Sequence, residues 1–200
     1  MSSRCSDLYV SLEKFHCDNV FVSSRTIYFG GSHPDLNESD SVNSTTVGQI
    51  IKNLHFLDTL NHKPITILLN TPGGSWEDGM ALYDIIKFTT SKVYIVGLGK
   101  VYSMGSVILQ AGYQRLLMPN SLVMIHDGTE GYVGNAKSME AWASNSKKIR
   151  QKMYEIYYEH MKKANKNITV GQIEKMCSHD KIFSAEEAIQ IGLADKIIGE

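Results

Sequence analysis

Residues 93–112, VYIVGLGKVYSMGSVILQAG, decide how the rest of the chain is read. The stretch opens on an apolar run rich in β-branched residues (Val93, Tyr94, Ile95, Val96), which predicts a buried strand. It breaks at Gly97 and Gly99 and resumes with Met104, Val107, Ile108 and Ala111 at i, i+3, i+4 and i+7, the spacing of a helix. Gly112 stands where a left-handed cap would end that helix. Ser103 therefore falls at the strand-to-helix turn. A helix N-terminus carries unpaired N–H groups and a partial positive charge, which suit a developing oxyanion. Ser is also favoured there as a plain N-cap, so the stretch by itself leaves both roles open.

Working outward, the same order recurs. Residues 25–29 (RTIYF) read as a short strand ended by Gly30-Gly31, and the polar, proline-containing residues 32–44 as a surface loop. Val47, Ile50, Ile51, Leu54 and Leu57 share one helical face, with Thr45 or Thr46 as the expected cap. Residues 65–69 form an apolar run leading into Asn70-Thr-Pro-Gly-Gly74. A helix with Leu82, Ile85, Ile86 and Thr89 on one stripe follows. Strands alternating with helices predict an α/β fold with largely parallel pairing. Two further strands are expected at 115–118 and 122–125, then a glycine-punctuated, extended segment after His126. A long helix is expected from 136 to about 163, a short one at 169–177, and a strand at Ile182-Phe183. Ser184-Ala-Glu-Glu187 is a capping box, with Gly192 beyond its helix.

Composition narrows the function classes. The chain has 200 residues, 42% of them hydrophobic, and a formal net charge of −1 with Lys and Arg dispersed. It is long enough to bury a core without staples, and it shows no basic footprint for nucleic acid or an anionic membrane. Three cysteines without a C-x-x-C pair indicate neither a disulfide framework nor a zinc site, and free thiols suit a reducing compartment. No apolar run reaches the ~20 residues of a membrane span, and the N-terminal residues lack the apolar core of a secretory signal. A cytoplasmic protein with no metal and no cofactor is expected, an organellar or viral origin being the alternative.

A serine nucleophile needs a base and a group that orients it. Of seven histidines, His126 directly follows the apolar residues 122–125, at the end of a buried strand. In open α/β sheets sites collect at such carboxyl ends, where Ser103 also lies. The Pro72-Gly73-Gly74 turn lets backbone N–H groups face a ligand, and with the N–H of Met104 it has the makings of an oxyanion hole. Asp127, Asp84 and Asp180 remain candidates for the orienting acid. Lys100, three residues before the serine, and Ser106, one turn after it, are the rival catalytic groups.

Four segments together resemble the ClpP family, the proteolytic subunits of the Clp protease. Asn70-Thr-Pro-Gly-Gly74 resembles N-S-P-G-G, and Ser103-Met104-Gly105 matches the S-M-G of the nucleophile motif. Pro119-Asn120-Ser121 with Val123-Met124-Ile125-His126 resembles P-N-S-R-V-M-I-H. Asp180 to Ala188, with Gly192-Leu193 and Asp195, resembles D-R-F-L-S-A-x-E-A…G-L-x-D. The likeness covers about residues 25–198. It implies Ser103 as nucleophile, His126 as general base and Asp180 as orienting acid, with Gly74 and Met104 supplying oxyanion-hole N–H groups. It implies the ClpP/crotonase-type fold of stacked ββα units, with a protruding strand–helix handle at roughly 127–163. Residues 1–24 would be an axial loop or flexible segment, and 25–200 a single peptidase domain. By the same resemblance, subunits assemble as heptameric rings stacked in pairs, and an AAA+ unfoldase, the user of ATP, feeds polypeptide substrates to the chamber. The chain departs from the family pattern at Val101-Tyr102 before the serine, at Asp127-Gly128 after the histidine, and at Thr66 and Leu68, where tyrosines often stand. Two other classes stay in view: a crotonase-type acyl-CoA enzyme, and a catalytically silent ring or scaffold subunit.

Overall fold

The computed structural model describes residues 15–31 and 40–199. Residues 1–14 of the expected axial-loop or flexible segment, and most of the loop expected at 32–44, lie outside them.

The frame is an eight-stranded sheet built from β1 (Val20–Phe21), β2 (Thr26–Phe29), β3 (Ile65–Thr71), β4 (Val93–Tyr102), β5 (Gln114–Leu117), β6 (Leu122–Ile125), β7 (Lys181–Ser184) and β8 (Lys196–Ile197). Its main path runs β1-β2-β3-β4-β5-β8, parallel except for the antiparallel β1–β2 edge. The predicted α/β architecture with mainly parallel pairing is therefore present.

β4 is longer than its sequence suggests. The strand runs straight through Gly97 and Gly99, where a break is expected, to Tyr102. Its first half, Tyr94 to Gly97, pairs with β5. Its second half, Lys100 to Tyr102, pairs instead with β6, after a register shift against β3. Gly97 permits this fork, because a Cβ there would come 2.6 Å from Leu117 and 2.7 Å from Val101. The second branch carries β6 out to the antiparallel β7.

The helices are α1 (Ser44–Leu60), α2 (Trp76–Phe88), α3 (Met104–Leu109), α4 (Ala136–Ala164), α5 (Val170–Cys177) and α6 (Ala185–Gln190). The cap of α1 is Asn43, not Thr45 or Thr46: its side chain accepts from both threonine N–H groups, and the Thr46 hydroxyl returns the bond as a capping box. The stripe Val47, Ile50, Leu54, Leu57 of α1 is buried with Leu82 and Ile86 of α2 against Ile27, Phe29, Ile67 and Leu69 of the sheet. α3 stops at Leu109, and Gln110 to Gly112 close it by i→i−3 bonds. Gly112 does not adopt a left-handed conformation; it is small because a Cβ would meet the Gln114 carbonyl at 2.9 Å.

Residues 15–24 of the N-terminal segment lead into the sheet. β1 pairs with β2, Val20 is 5% exposed, and Asn53 of α1 donates to the Asp18 carbonyl at 2.6 Å. Arg25, in a left-handed turn at φ 52°, lies beneath the C-terminus of α1 and donates to the carbonyls of Leu57, Asn61, Lys63 and Pro64. A guanidinium there satisfies acceptors the helix leaves open. The long helix of the expected handle is α4, but the segment before it, residues 127–135, has no regular secondary structure. In its second half α4 buries Met153, Tyr154, Ile156, Tyr157 and Met161, and in its first half Ser146.

Candidate active site

Strand register places the three expected catalytic side chains. Tyr102 of β4 lies opposite Met124 of β6, so the chain leaves both strands side by side, into Ser103 and toward His126. The Ser103 N–H donates to the Met124 carbonyl at 2.9 Å, extending the ladder by one bond. Across β6, Ile125 lies opposite Lys181 of the antiparallel β7. The next residue on each side is His126 and Asp180, which therefore face each other. The hydroxyl of Ser103 is 2.8 Å from Nε2 of His126, and Nδ1 of His126 is 2.8 Å from Oδ1 of Asp180. A carboxylate only accepts, so the imidazole proton sits on Nδ1 and Nε2 is left to accept from the serine. The His126 side chain is 21% exposed and that of Asp180 is 72% exposed.

The Ser103 side chain does not cap α3. It holds the N-cap position of α3 but makes no side-chain capping bond, and its backbone stands at φ 52°, ψ −122°. A non-glycine residue held in that region costs on the order of 1–3 kcal/mol and persists where its surroundings over-determine it. Here the Ser103 carbonyl accepts from both the N–H and the hydroxyl of Ser106, at 2.9 and 2.7 Å.

The Pro72-Gly73-Gly74 turn packs directly on this corner. A Cβ on Gly73, at φ 96°, would lie 2.6 Å from Ser103 Cβ and 3.0 Å from the Met104 nitrogen. A Cβ on Gly74 would lie 2.3 Å from the Val42 carbonyl, and Val42 brackets the turn by donating to the Gly73 carbonyl and accepting from Ser75 N–H. The N–H groups of Gly74 and Met104 make no hydrogen bond among the described residues. The two expected oxyanion donors are thus brought beside Ser103 with their protons unspent.

A cleft of about 380 Å³ opens beside Ser103 and His126. Its apolar lining includes Met104 and Val107 of α3 and Trp142, Ile149 and Met153 of α4. At the same cleft Arg150 and Glu130 approach to 3.6 Å, with the Ser146 hydroxyl bonded to both.

The rival groups are accounted for. Lys100 pairs with Asp40 at 2.9 Å, and its N–H is held by the Asn70 side chain. Ser106 is fully buried, its hydroxyl engaged with the Ser103 carbonyl and Tyr157. Asp127 accepts from Tyr154 at 2.6 Å and does not hold the histidine. No group of His, Cys, Asp and Glu able to hold a metal occurs among the described residues.

Sequence reasoning missed the polar cluster under α3. Arg115, itself buried, forms an ion pair with the solvent-exposed Asp195 and donates to Gln110 at 2.7 Å and to the Gly192 carbonyl at 2.8 Å. Gln110 in turn holds the carbonyls of Ser106 and Leu193. Burial opposes ionisation of Asp195, but the guanidinium and N–H of Arg115 outweigh it and hold the carboxyl below its usual range. The signal was present: a Gln, an Arg and an Asp in otherwise apolar surroundings.

A serine, a histidine and glycine-flanked N–H groups are thus gathered at the strand ends of an α/β sheet. The chain belongs to the Clp protease family, whose profile matches residues 35–200. It is similar to the ATP-dependent Clp protease proteolytic subunit of Deinococcus radiodurans, with 33% identity over 162 residues, covering 80% of this chain and 77% of that relative. Membership of that family supports a peptidase, and so a hydrolase. No helix among the described residues is long and apolar enough to cross a membrane.

Proposed function

We propose that the chain is a serine endopeptidase that cleaves unfolded polypeptides through an acyl-enzyme, with Ser103 as nucleophile, His126 as general base and Asp180 as orienting acid. The observation that carries the reading is the unbroken line Ser103–His126–Asp180, with 2.8 Å at both steps. As Ser103 Oγ bonds to the scissile carbonyl carbon, Nε2 of His126 takes the hydroxyl proton. The charge that moves onto the carbonyl oxygen is met by the N–H groups of Gly74 and Met104. His126 then protonates the departing amine as the C–N bond breaks. Water, deprotonated by the same nitrogen, releases the acid and restores Ser103. Asp180 holds the Nδ1 proton in place and stabilises the imidazolium between these steps. The scheme balances without metal, cofactor or ATP.

The cleft beside Ser103 sets Met104, Val107, Trp142, Ile149 and Met153 beside the Glu130–Arg150 pair, which supports extended substrates that offer an apolar side chain next to a polar one. Copies of the chain are proposed to form heptameric rings, stacked in pairs around a chamber, with an AAA+ unfoldase spending ATP to deliver substrate. Asp180 supports an assembled active form: a 72% exposed carboxylate is screened by water, and covering it strengthens its hold on His126. A cytoplasmic location is part of the same proposal.

Hydrolysis of a fluorogenic peptide tests the reading. Wild-type protein is expected to release the fluorophore, and Ser103→Ala and His126→Ala each to lose on the order of 10³-fold or more without adding in the double variant. Undiminished turnover in Ser103→Ala contradicts it.

A further inference from the structure

Two tyrosines on one face of α4 reach the two halves of the site, and neither belongs to the Ser103–His126–Asp180 line. Tyr154 and Tyr157, three residues apart, share one helical face and are 4% and 0% exposed. The Tyr157 hydroxyl is 2.7 Å from the Ser106 hydroxyl. Ser106 spends its own proton on the Ser103 carbonyl, so Tyr157 is the donor in that pair. The chain Tyr157→Ser106→Ser103 carbonyl therefore ends on the residue whose backbone is left-handed. The Tyr154 hydroxyl donates to Asp127, the residue after His126, whose N–H is tied to the Cys177 carbonyl at 2.7 Å. One helix face thus grips the segment after the histidine and the turn that holds the serine.

We propose that Tyr154 and Tyr157 are positioning residues that fix His126 and Ser103 relative to each other, so that α4 sets the distance across which the proton moves. The inference rests on the peptidase reading above. Ser103 supplies the physical need: a strained conformer persists only where several contacts over-determine it, and the buried bonds from Ser106 and Tyr157 are such contacts. Burial, and for Tyr154 also the Asp127 carboxylate, drives both phenols well above their ordinary ionisation range, so both remain donors whenever the enzyme works. A misplacement of about 1 Å between reacting groups can cost 10²-fold in rate, whereas substrate binding in the cleft depends little on it.

The test compares Tyr154→Phe, Tyr157→Phe and Ser106→Ala with Tyr158→Phe, a same-helix control whose half-buried ring faces Lys162. Peptide kcat and KM and the rate of fluorophosphonate labelling at Ser103 are measured for each. Expected are kcat and labelling rates about 5- to 50-fold lower in the first three with KM within about twofold, and no change in Tyr158→Phe. Tyr157→Phe and Ser106→Ala combined should lose no more than either by itself, because they interrupt one chain. Should Tyr157→Phe fail to fold, Ser106→Ala tests the same link. Wild-type rates in these variants, a loss carried by KM alone, or an equal loss in Tyr158→Phe overturns the inference while wild-type labelling leaves the peptidase reading standing. A wild-type protein that does not label at Ser103 overturns both.

Discussion

Ser103 carries its function in its backbone as much as in its hydroxyl. At φ 52°, ψ −122° the residue is in a conformation glycine tolerates and serine does not, and no capping bond compensates. Ser103→Gly should therefore melt higher than Ser103→Ala, although neither variant is active; a lower melting temperature for the glycine variant contradicts the strain argument. A sequence displays the serine but not its torsions, which come from the Ser106 bonds and the packing of Gly73. The thiols give a second residue-scale prediction. Cys177 is buried, and burial, then the Asp127 charge, pushes its thiol up to about 12, whereas Cys17 is exposed. Iodoacetamide at neutral pH should modify Cys17 in the folded protein and leave Cys177 intact, as peptide mapping would read directly.

Among the elements, β4 and the turn before α2 assemble the site. Alternating strands and helices, the register of the apolar stripes on α1 and α2, and the capping box at Ser184 were legible in the chain, because they depend on residues a few positions apart. The fork of β4 was not, since Gly97 and Gly99 look like a break until Leu117 and β6 are placed beside them. Nor was the pairing of β6 with β7, which aligns His126 with Asp180 across 54 residues of chain. Local pattern brought Asp180 no further than one of three candidate acids; family resemblance singled it out, and register explains it. The Gly73 corner makes the dependence testable. Gly73→Ala adds a methyl group 2.6 Å from Ser103 Cβ at φ 96°, and is expected to cost on the order of 10²-fold or more in peptide turnover. Turnover within twofold of wild type would mean that this corner is not as close as described. At the C-terminal end of α1, burial works against Asp58, but the Ser91 hydroxyl and N–H, His62 and the Thr90 N–H prevail and bring its carboxyl down to about 2. With a depressed acid, the stabilisation is present above the ordinary value of 3.8 and is lost as pH falls toward 2. Asp58→Asn should narrow the difference in melting temperature between pH 5 and pH 2.5.

For the whole molecule, His160 on α4 adds a loss of stability at mildly acid pH. Burial, then the charges of Arg115, Lys163 and Lys87, lower the His160 pKa from 6.5 to about 4, against an opposing pull from Asp195. In the unfolded chain the imidazole takes up a proton as pH drops below about 6.5, but in the folded protein not until about 4, so stability falls across that interval and no further on this account. His160→Gln is expected to flatten the melting temperature between pH 6.5 and 4; an unaltered slope assigns the loss elsewhere. The same half of α4 that carries the half-buried His160 also carries Tyr154 and Tyr157. Family membership supports a peptidase, and the remaining step is the identity of the attacking atom. Intact-mass and peptide-map analysis after reaction with a fluorophosphonate decides it most directly. The account predicts a single adduct on Ser103, absent in Ser103→Ala and strongly slowed in His126→Ala; an unmodified Ser103, or an adduct that persists in Ser103→Ala, contradicts it.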